Sequence, residues 1–568
     1  MTRGLFAHWR EYLVLACIIM FGFMVIAKLA SLQIFNHGLY KALAQGQQQK
    51  SSLQVGERGT IYMQDKQRRL VPLATTHDIS FLYASPQDVE DTKNTSTALA
   101  IILEQNQETI FLRLEQKDRL FSQLSRQLTQ EQEEMVRVAN LPGIHIGKEA
   151  RRLYPQGTLA SHVVGFINQD GMGQYGLEAY YHEILQGKEE LLDMTQNPAR
   201  YLRQAFGSTP ERGASLVLTI DSGIQSFAET ALDKTVERLN AKEGTIIVAD
   251  PFTGKILALA TTPRYDPNEY TMVSNFSLFI NPATQNLYEP GSVLKALTMA
   301  AALDRGVITP DTLYKDTGSV RIGGRTISNY NNRVFGEQTM TQVLQFSINT
   351  GAVFAQQQLG DSAFMEYLER FGIFEKTGID LSGEAFSRNT EFKKGYAINF
   401  ATASFGQGIE MTAMQVVRIY SAFANGGFLV QPHLGEKIIV NGEEQVLEYP
   451  VSITAVLSPK ASAQITHMLE RVLEDGFGKQ ARIPGYKMAG KTGTSQIAWS
   501  ALGIQKPGYS DQSIQSFVGY GPTSNPQFVI LISLRDPQTK TAEYSAMPLY
   551  KEVAQYILDY YAIPPDAD

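Results

Sequence analysis

The sequence predicts an α+β protein made of an N-terminal membrane helix, a first folded domain and a larger second domain around an antiparallel sheet. Three observations support this fold class: an uncharged apolar run near the N-terminus, a polar region with amphipathic helical patterns, and β-rich runs near both ends of the remaining chain. With 568 residues, the chain is long enough for an anchor and two domains that each bury a core.

The composition excludes several classes of protein. Hydrophobic residues make up 43% and charged residues 19% of the chain, which is typical of a globular protein and not of a disordered one. The formal net charge of -7 and the lack of a basic stripe argue against a nucleic-acid partner. The single cysteine, Cys17, lies in the apolar run, and the eight histidines are scattered without a His-Glu-x-x-His pair. We therefore expect no metal and no cofactor.

The first element is a predicted transmembrane helix over residues 12–34. The chain carries no charge from Tyr12 to Ala27, and a helix of about 20 apolar residues crosses the hydrocarbon layer. Lys28, near the outer end, can extend its ammonium to the interface. Arg3 and Arg10 precede the run on the short tail 1–11, so we expect this tail in the cytoplasm and the body of the chain outside the membrane.

A cleaved signal peptide is the alternative interpretation of the same run. Ala42–Ala44 resembles a small-residue cleavage site. The apolar stretch is longer than the roughly 7 to 15 residues of a signal core, and this motif lies well beyond its end. The pattern favours a retained single-pass anchor.

The first domain is expected over residues 35–211. A strand-like piece at Ile79–Tyr83 is followed by polar helical stretches at Ser96–Leu103 and Ile110–Val138, with leucines at helical spacing. No set of residues with catalytic chemistry stands out here. We interpret this region as a spacer or interaction domain.

The second domain is expected over residues 212–568. Its predicted elements are a strand at Leu216–Ile220, a helix at Ser222–Leu239, a hairpin of Gly244–Ala249 and Lys255–Ala260, strands at Ser516–Tyr520 and Gln527–Leu534, and a helix at Pro548–Tyr561. Strands from both ends with helices between them predict a sheet that joins the ends of the domain.

The segment Tyr288–Lys295 carries the first chemical signal. Pro and Gly mark a helix start, and the three-residue spacing of Ser292 and Lys295 places both side chains on one face of a helix too apolar to be exposed. Burial lowers the pKa of a lysine, so Lys295 could accept the hydroxyl proton of Ser292. Ser-x-x-Lys alone is a weak signal, because it also occurs at ordinary helix starts.

Two further motifs strengthen this signal. Ser347–Asn349 follows as a Ser-x-Asn element, and Lys491–Thr494 spells Lys-Thr-Gly-Thr. The three motifs in this order are typical of β-lactamases and penicillin-binding proteins. A second Lys-Thr-Gly at Lys376–Gly378 is expected in a loop. Lys491–Thr494 instead precedes the C-terminal strands, and it fits an edge strand that could hold an extended peptide.

The chain resembles the class B penicillin-binding proteins, which are monofunctional transpeptidases of peptidoglycan synthesis. Besides the three motifs, three segments resemble that family's pedestal, or dimerisation-type, domain: Arg58–Tyr62, Arg152–Gly157 with His162 and Gly165, and Gly173–Glu178. The resemblance runs over nearly the whole chain. It implies an elongated α+β pedestal over residues 35–211 and a transpeptidase domain over residues 212–568.

The resemblance also implies a role for each motif residue. Ser292 would form an acyl-enzyme with a stem peptide ending in D-Ala-D-Ala, with Lys295 as base and Ser347 as proton relay. The donor peptide would be bound by Asn349, Lys491, Thr492, Gly493 and Thr494. The backbone N–H groups of Ser292 and Thr494 would form the oxyanion hole. β-Lactams would acylate the same serine.

The resemblance implies partners as well. A polytopic SEDS-type glycosyltransferase and other divisome or elongasome membrane proteins are expected, and Glu289 before Pro290 favours a division role over an elongation role. Two alternatives stay open. One is a β-lactam sensor or hydrolase that uses the same serine, and the other is a non-catalytic scaffold.

Overall fold

The computed structural model describes residues 15, 18–24, 54–187, 189–190 and 212–566. The chain divides into two compact units, residues 1–57 with 187–213 and residues 58–186 with 214–568. In the first unit Gln54–Val55 pairs with Glu189–Glu190 in an antiparallel ladder, and residues 18–24 are helical. The rest of the membrane helix predicted over residues 12–34 lies outside the described residues. No helix among the described residues has the length and apolarity needed to cross a bilayer.

In the second unit, a seven-stranded sheet connects the pedestal region to the chain that follows residue 213. Its strands are Ile61–Gln64, Leu70–Ala84, Ser122–Ser125, Ile144–Leu153, Ser215–Asp221, Gly435–Val440 and Glu443–Val446. The predicted strand Ile79–Tyr83 is confirmed as part of Leu70–Ala84, which pairs with Ile144–Leu153. Ser215–Asp221 contains the predicted first strand of the second domain, and it pairs in parallel with Ile61–Gln64. The two predicted domains therefore share one hydrogen-bonded sheet.

The helices of the pedestal region correct one prediction. The three longer ones are Thr92–Leu103, Gln107–Leu114 and Gln130–Ala139, and the shorter ones are Ser161–Val164, Gly176–Tyr180 and His182–Leu185. Ser96–Leu103 is confirmed as helical. Ile110–Val138 is wrong as a single helical stretch, because the strand Ser122–Ser125 interrupts it. Alternate residues of this strand are buried, which is the two-residue period of a half-buried strand.

A second sheet combines strands from both ends of the region after residue 213. Its strands are β1 (Glu243–Ala249), β2 (Ile256–Thr262), β3 (Ala489–Ala498), β4 (Tyr509–Gly521) and β5 (Phe528–Arg535). They are antiparallel in the order β2-β1-β5-β4-β3. The predicted hairpin, the predicted C-terminal pair and the sheet that joins both ends of the domain are all confirmed. Among the described strands β3 pairs with β4 alone, so β3 is an edge strand.

Helices cover both faces of this second sheet. The longer ones are α1 (Ser222–Leu239), α2 (Lys295–Asp304), α3 (Asn349–Leu359), α4 (Ala413–Ala424), α5 (Pro459–Glu474) and α6 (Ala546–Tyr561). The Tyr520 hydroxyl lies 2.8 Å from that of Thr466 on α5, whereas a Cβ at Gly519 would meet Tyr550 on α6. Since consecutive strand residues point to opposite faces, α5 and α6 lie on opposite sides of the sheet. Helix α2 packs against α3 and α5 and is buried from Lys295 to Leu303.

The remaining elements connect these layers. They are the strand pairs Leu313–Asp316 with Gly336–Thr339, Ser319–Ile322 with Arg325–Ser328, and Phe428–Val430 with Val451–Ala455, and the helices Pro282–Gln285, Met340–Gln345, Asp361–Arg370 and Ala397–Ala403. The first two pairs lie between α2 and α3 in the chain, so they follow the predicted nucleophile and precede the Ser-x-Asn element.

Two buried carboxylates stabilise the pedestal and its junction with the second domain. Glu178 is fully buried and accepts hydrogen bonds from Arg58 Nε and Arg152 Nε, both at 2.7 Å. Asp380 accepts from the backbone N–H groups of residues 434 and 435 and from Tyr181 Oη, all at 2.7 Å. Because Tyr181 belongs to the pedestal, the Asp380 carboxylate connects the two domains directly.

Candidate active site

Ser292 lies in a short 3-10 turn, Gly291–Leu294, that continues into α2. Gly291 has φ +62°, and its N–H donates to the Gly406 carbonyl at 3.0 Å. A Cβ at Gly406 would lie 2.1 Å from the Gly291 carbonyl oxygen, so only glycine allows this close backbone contact. The predicted helix start at Pro290 and Gly291 is confirmed. Its tight turn presents a half-buried Ser292 at the end of a buried helix.

Lys295 is the first residue of α2 and is fully buried. Its Nζ donates to the Ser347 carbonyl at 2.5 Å, to Asn349 Oδ1 at 2.7 Å and to Ser347 Oγ at 3.1 Å. Burial, assisted by the positive charge of Lys491, lowers the pKa of Lys295 well below its usual value. The predicted buried amine that can lose its charge is therefore present.

Ser347 lies between two lysines. Its Oγ is 3.1 Å from Lys295 Nζ and 3.1 Å from Lys491 Nζ. Its backbone has φ +52°, in the left-handed region that non-glycine residues rarely adopt. Such strained residues cluster at functional sites. A hydroxyl with one proton and two lone pairs can exchange a proton with either amine.

Lys491 is the buried member of the Lys-Thr-Gly motif on β3. Besides Ser347, its Nζ donates to the Thr492 carbonyl at 3.2 Å and to Thr492 Oγ1 at 3.3 Å. Burial lowers the pKa of Lys491 to about 7, against the opposing effect of the Glu543 carboxylate. Near neutral pH, Lys491 therefore exchanges between its charged and neutral forms.

The rest of the motif forms the edge of the sheet beside the nucleophile turn. A Cβ at Gly493 would lie 3.0 Å from the Pro290 carbonyl oxygen and 2.4 Å from Ser516 Oγ, so glycine lets the strand pack directly on the turn. Thr492 is half-buried and Thr494 is exposed. A Cβ at Gly291 would lie 3.3 Å from the Thr494 carbonyl oxygen, so the two predicted oxyanion-hole segments adjoin. The edge-strand placement of Lys-Thr-Gly is confirmed.

The structure differs from the expected pairing of Ser292 with Lys295. Ser292 Oγ makes no hydrogen bond to any described residue, and the Lys295 amine instead contacts Ser347 and Asn349. These partners lie 52 and 54 residues further along the chain, so helix periodicity alone could not reveal them. Hydrogen bonds between catalytic groups often tighten only in the complex with substrate.

Two acidic residues near the site have no role in the catalytic motifs. Glu289 accepts hydrogen bonds from Tyr509 Oη at 2.9 Å and from Gly408 N–H at 3.1 Å, and burial raises its pKa. Glu543 lies on a short 3-10 turn whose Ala542 N–H donates to Thr494 Oγ1 at 3.4 Å. Burial raises the pKa of Glu543, with opposing effects from Lys491 and Arg333. No spacing rule connects residue 543 to residue 491.

The second Lys-Thr-Gly has a different environment. Lys376–Gly378 lies in a loop, as predicted. The Thr377 N–H and hydroxyl donate to Glu384 at 2.7 and 2.5 Å, so these groups bind within their own loop. Within the residues that the structure describes, no group of three or more His, Cys, Asp and Glu side chains is arranged to hold a metal ion.

Together these groups suit acyl transfer to an accessible hydroxyl. They provide a hydroxyl on a fixed turn, a buried amine whose pKa burial lowers, and a second amine that can carry charge. They also provide a hydroxyl between the amines and an exposed strand edge that can pair with an extended chain. Asn349 adds an amide whose Oδ1 accepts from Lys295 and whose Nδ2 donates to the Ser328 carbonyl at 3.0 Å.

Two family models match the chain. The model described as Penicillin binding protein transpeptidase domain matches residues 244–555, and the model described as Penicillin-binding Protein dimerisation domain matches residues 53–218. The first model alone covers more than half of the chain. The predicted domain bounds of 35–211 and 212–568 stay predictions at residue level.

Characterised relatives and solved structures are similar over most of the chain. Stage V sporulation protein D of Bacillus subtilis is 31% identical over 85% of this chain and 74% of its own length. The peptidoglycan D,D-transpeptidase FtsI of Escherichia coli is 27% identical over 99% of this chain and 93% of its own. The crystal structure of penicillin-binding protein 3 of Mycobacterium tuberculosis in complex with aztreonam has a TM-score of 0.70 at 25% identity. That match covers 90% of this chain and 98% of the crystallised one.

Proposed function

This chain belongs to the class B penicillin-binding transpeptidases, and on that premise we propose that its Ser292 is the nucleophile that cross-links peptidoglycan stem peptides. The protein is a penicillin-sensitive serine D,D-transpeptidase. The observation that carries the residue assignment is the buried Lys295–Ser347–Lys491 cluster beside the Ser292 turn.

The proposed acylation step assigns to these residues the roles that the family resemblance implies. Ser292 Oγ attacks the carbonyl carbon of the penultimate D-Ala of a donor stem peptide, and Lys295 accepts the hydroxyl proton. The oxyanion of the tetrahedral intermediate accepts from the backbone N–H groups of Ser292 and Thr494, each worth about 3 kcal/mol. Ser347 passes a proton to the leaving amine, the C–N bond breaks, and the terminal D-Ala departs. An acceptor amine then attacks the acyl-enzyme, forms the new peptide bond and returns Ser292 to its hydroxyl form.

The proposed donor site combines the edge of β3 with Asn349. The donor backbone would pair with the strand, and Gly493 would let it approach closely. Lys491, Thr492 and Thr494 would bind the terminal carboxylate, while Asn349 would donate to the donor peptide. A β-lactam carries a carboxylate and a reactive carbonyl in a spatial relation similar to that at the end of the donor peptide. One of the similar crystal structures holds aztreonam.

The cellular setting is also a proposal. The uncharged run within residues 12–34, with Arg3 and Arg10 before it, supports a single-pass anchor with a cytoplasmic N-terminus and an extracytoplasmic catalytic domain. The matched models describe dimerisation and transpeptidation, so we infer that a SEDS-type glycosyltransferase supplies the glycan, with further divisome or elongasome proteins as partners. Glu289 before Pro290 favours a division role. Purified protein that extends glycan strands unaided would contradict the proposed glycosyltransferase partner.

The direct test is a transpeptidation assay on the full chain in detergent. A synthetic pentapeptide ending in D-Ala-D-Ala is supplied with a D-amino acid as acceptor, and mass spectrometry follows D-Ala release and the new peptide bond. We expect both products from the wild type and from Ser319→Ala, whose side chain is exposed, and neither from Ser292→Ala. Release of D-Ala without incorporation of the acceptor would indicate a hydrolase, and no release at all would indicate a non-catalytic scaffold.

A further inference from the structure

Asp316 is a buried carboxylate that belongs to none of the three motifs. It ends the strand Leu313–Asp316, in the region between α2 and α3, and only 2% of its surface is exposed. A buried charge of this kind is costly unless hydrogen bonds compensate it. The partners of Asp316 therefore indicate what it holds in place.

Asp316 accepts hydrogen bonds from four residues, three in the segment that follows it and one on α3. Oδ1 accepts from Thr350 Oγ1 at 2.7 Å and from Gly318 N–H at 3.0 Å. Oδ2 accepts from Phe335 N–H at 2.7 Å, and Asn329 Nδ2 lies 3.0 Å from both carboxylate oxygens. The carboxylate thus fixes both ends of the connecting segment 318–335 and the first turn of α3.

These bonds continue directly to Asn349. Asn329 Oδ1 accepts from Thr350 N–H at 3.2 Å, which attaches the segment to the residue next to Asn349. Asn349 Nδ2 donates at 3.0 Å to the carbonyl of Ser328, the residue before Asn329. The other end of the same amide, Oδ1, is 2.7 Å from Lys295 Nζ. Both Asn349 and its Ser328 anchor are therefore one residue from a group that bonds to Asp316.

The charge state of Asp316 suits this role. Burial works to raise its pKa, but the hydrogen bonds from Thr350, Phe335 and Gly318 outweigh burial and hold the pKa below its usual value. The group is therefore an ionised acceptor throughout the neutral range. Hydrogen bonds to an ionised acceptor are the stronger class.

We propose that Asp316 is a positioning residue for transpeptidation, which orients the Asn349 amide and thereby the Lys295 amine through Asn329 and Thr350. This inference rests on the proposed function, because it assigns a purpose to the contact between Asn349 and Lys295. In this proposal, the residues that hold the catalytic base in position lie outside the three motifs. The motifs alone therefore do not identify them.

A double-mutant cycle on the full chain tests the coupling. The second-order rate constant for acylation by a fluorescent penicillin is measured for Asp316→Asn, Asn349→Ala and the double variant. In Asp316→Asn, the amide NH2 group faces backbone N–H groups that donate to the carboxylate in the wild type. We therefore expect this substitution to slow acylation about 10-fold, which corresponds to about 1.4 kcal/mol. In the Asn349→Ala background the same substitution should cost less than about 2-fold, since groups in one hydrogen-bond network are not additive.

A milder variant and a matched control complete the experiment. Thr350→Val removes one bond to Asp316 and keeps the shape, so it should slow acylation a few fold in the wild type and have no effect in Asn349→Ala. It also decides the question if Asp316→Asn does not fold. Asp380→Asn changes a carboxylate of similar burial and bonding that contacts Tyr181 and not the cleft. It should lower stability and leave acylation unchanged.

The outcomes separate this inference from the function on which it rests. Full additivity of Asp316→Asn, or of Thr350→Val, with Asn349→Ala would overturn the positioning role. An equal loss of acylation in Asp380→Asn would also overturn it, because the effect would then be general destabilisation. Unchanged acylation in Asn349→Ala itself would instead count against the proposed function of Asn349.

Discussion

Raising the pH from 6 to 8 is expected to slow acylation by β-lactams that carry a carboxylate. The perturbation acts on Lys491, whose pKa is lowered to about 7 by burial. A lysine loses its charge as the pH rises through its pKa, and the proposed role of Lys491 is to attract the ligand carboxylate. Burial and the positive charge of Lys491 lower the pKa of Lys295 as well, but this base acts on ligands with and without a carboxylate alike.

The magnitude follows from the titration of one group. With a pKa near 7, about 90% of Lys491 is charged at pH 6 and about 10% at pH 8. The second-order acylation rate constant should therefore fall about 10-fold relative to that of an uncharged ligand, because this constant reports the protonation state of the free enzyme. Glu543→Gln removes the carboxylate that raises the pKa of Lys491. The midpoint of the fall should then move to lower pH.

The assay compares a penicillin with its uncharged methyl ester on the full chain. Stopped-flow fluorescence gives the acylation rate constant for each ligand from pH 5.5 to about 8.5, within the range where Lys491 titrates. Only the carboxylate ligand should show the full fall. Glu552→Gln is the matched control, since Glu552 is exposed on α6 and should not move the midpoint. Equal pH dependence of acid and ester, or an unmoved midpoint in Glu543→Gln, would refute the role of Lys491.

Three further substitutions test the support of the site. Glu178→Gln leaves two buried guanidinium groups opposite a neutral amide, so the free energy of unfolding should fall by about 3 kcal/mol or more in a urea titration. A change in this free energy within experimental error would contradict the prediction. Tyr181→Phe removes one donor to Asp380 and should cost about 1 kcal/mol with unchanged acylation, so slow acylation would show that the junction acts on the site. Gly406→Ala places a Cβ 2.1 Å from the Gly291 carbonyl oxygen and should slow acylation by about 10-fold or more without loss of circular dichroism. Wild-type kinetics in that variant would mean that the turn at Ser292 tolerates displacement.

Local patterns in the sequence were sufficient for much of the catalytic domain. Pro290 and Gly291 predicted the turn before a buried helix, and the Pro and Gly of residues 250–254 predicted the β1–β2 hairpin. The place of Lys491 before the C-terminal strands predicted its edge position. These features depend on neighbours along the chain. Short-range rules therefore predicted them.

Features that depend on distant parts of the chain were not predictable in this way. The parallel pairing of Ser215–Asp221 with Ile61–Gln64 joins segments about 155 residues apart, and it merges two regions that composition had separated. The strand Ser122–Ser125 lies in a polar stretch with helical spacing, so the sequence pattern did not predict it. The contacts of Lys295 with Ser347 and Asn349 exist because α2 packs against α3, which no residue spacing reveals.

The identity of the nucleophile is tested most directly by mass spectrometry of the penicillin-treated protein. Proteolysis and fragmentation would locate the adduct on the peptide that contains residues 288–295. A single penicilloyl group on Ser292, lost in Ser292→Ala, is the predicted result. An adduct on another residue, or undiminished labelling of Ser292→Ala, would contradict the account.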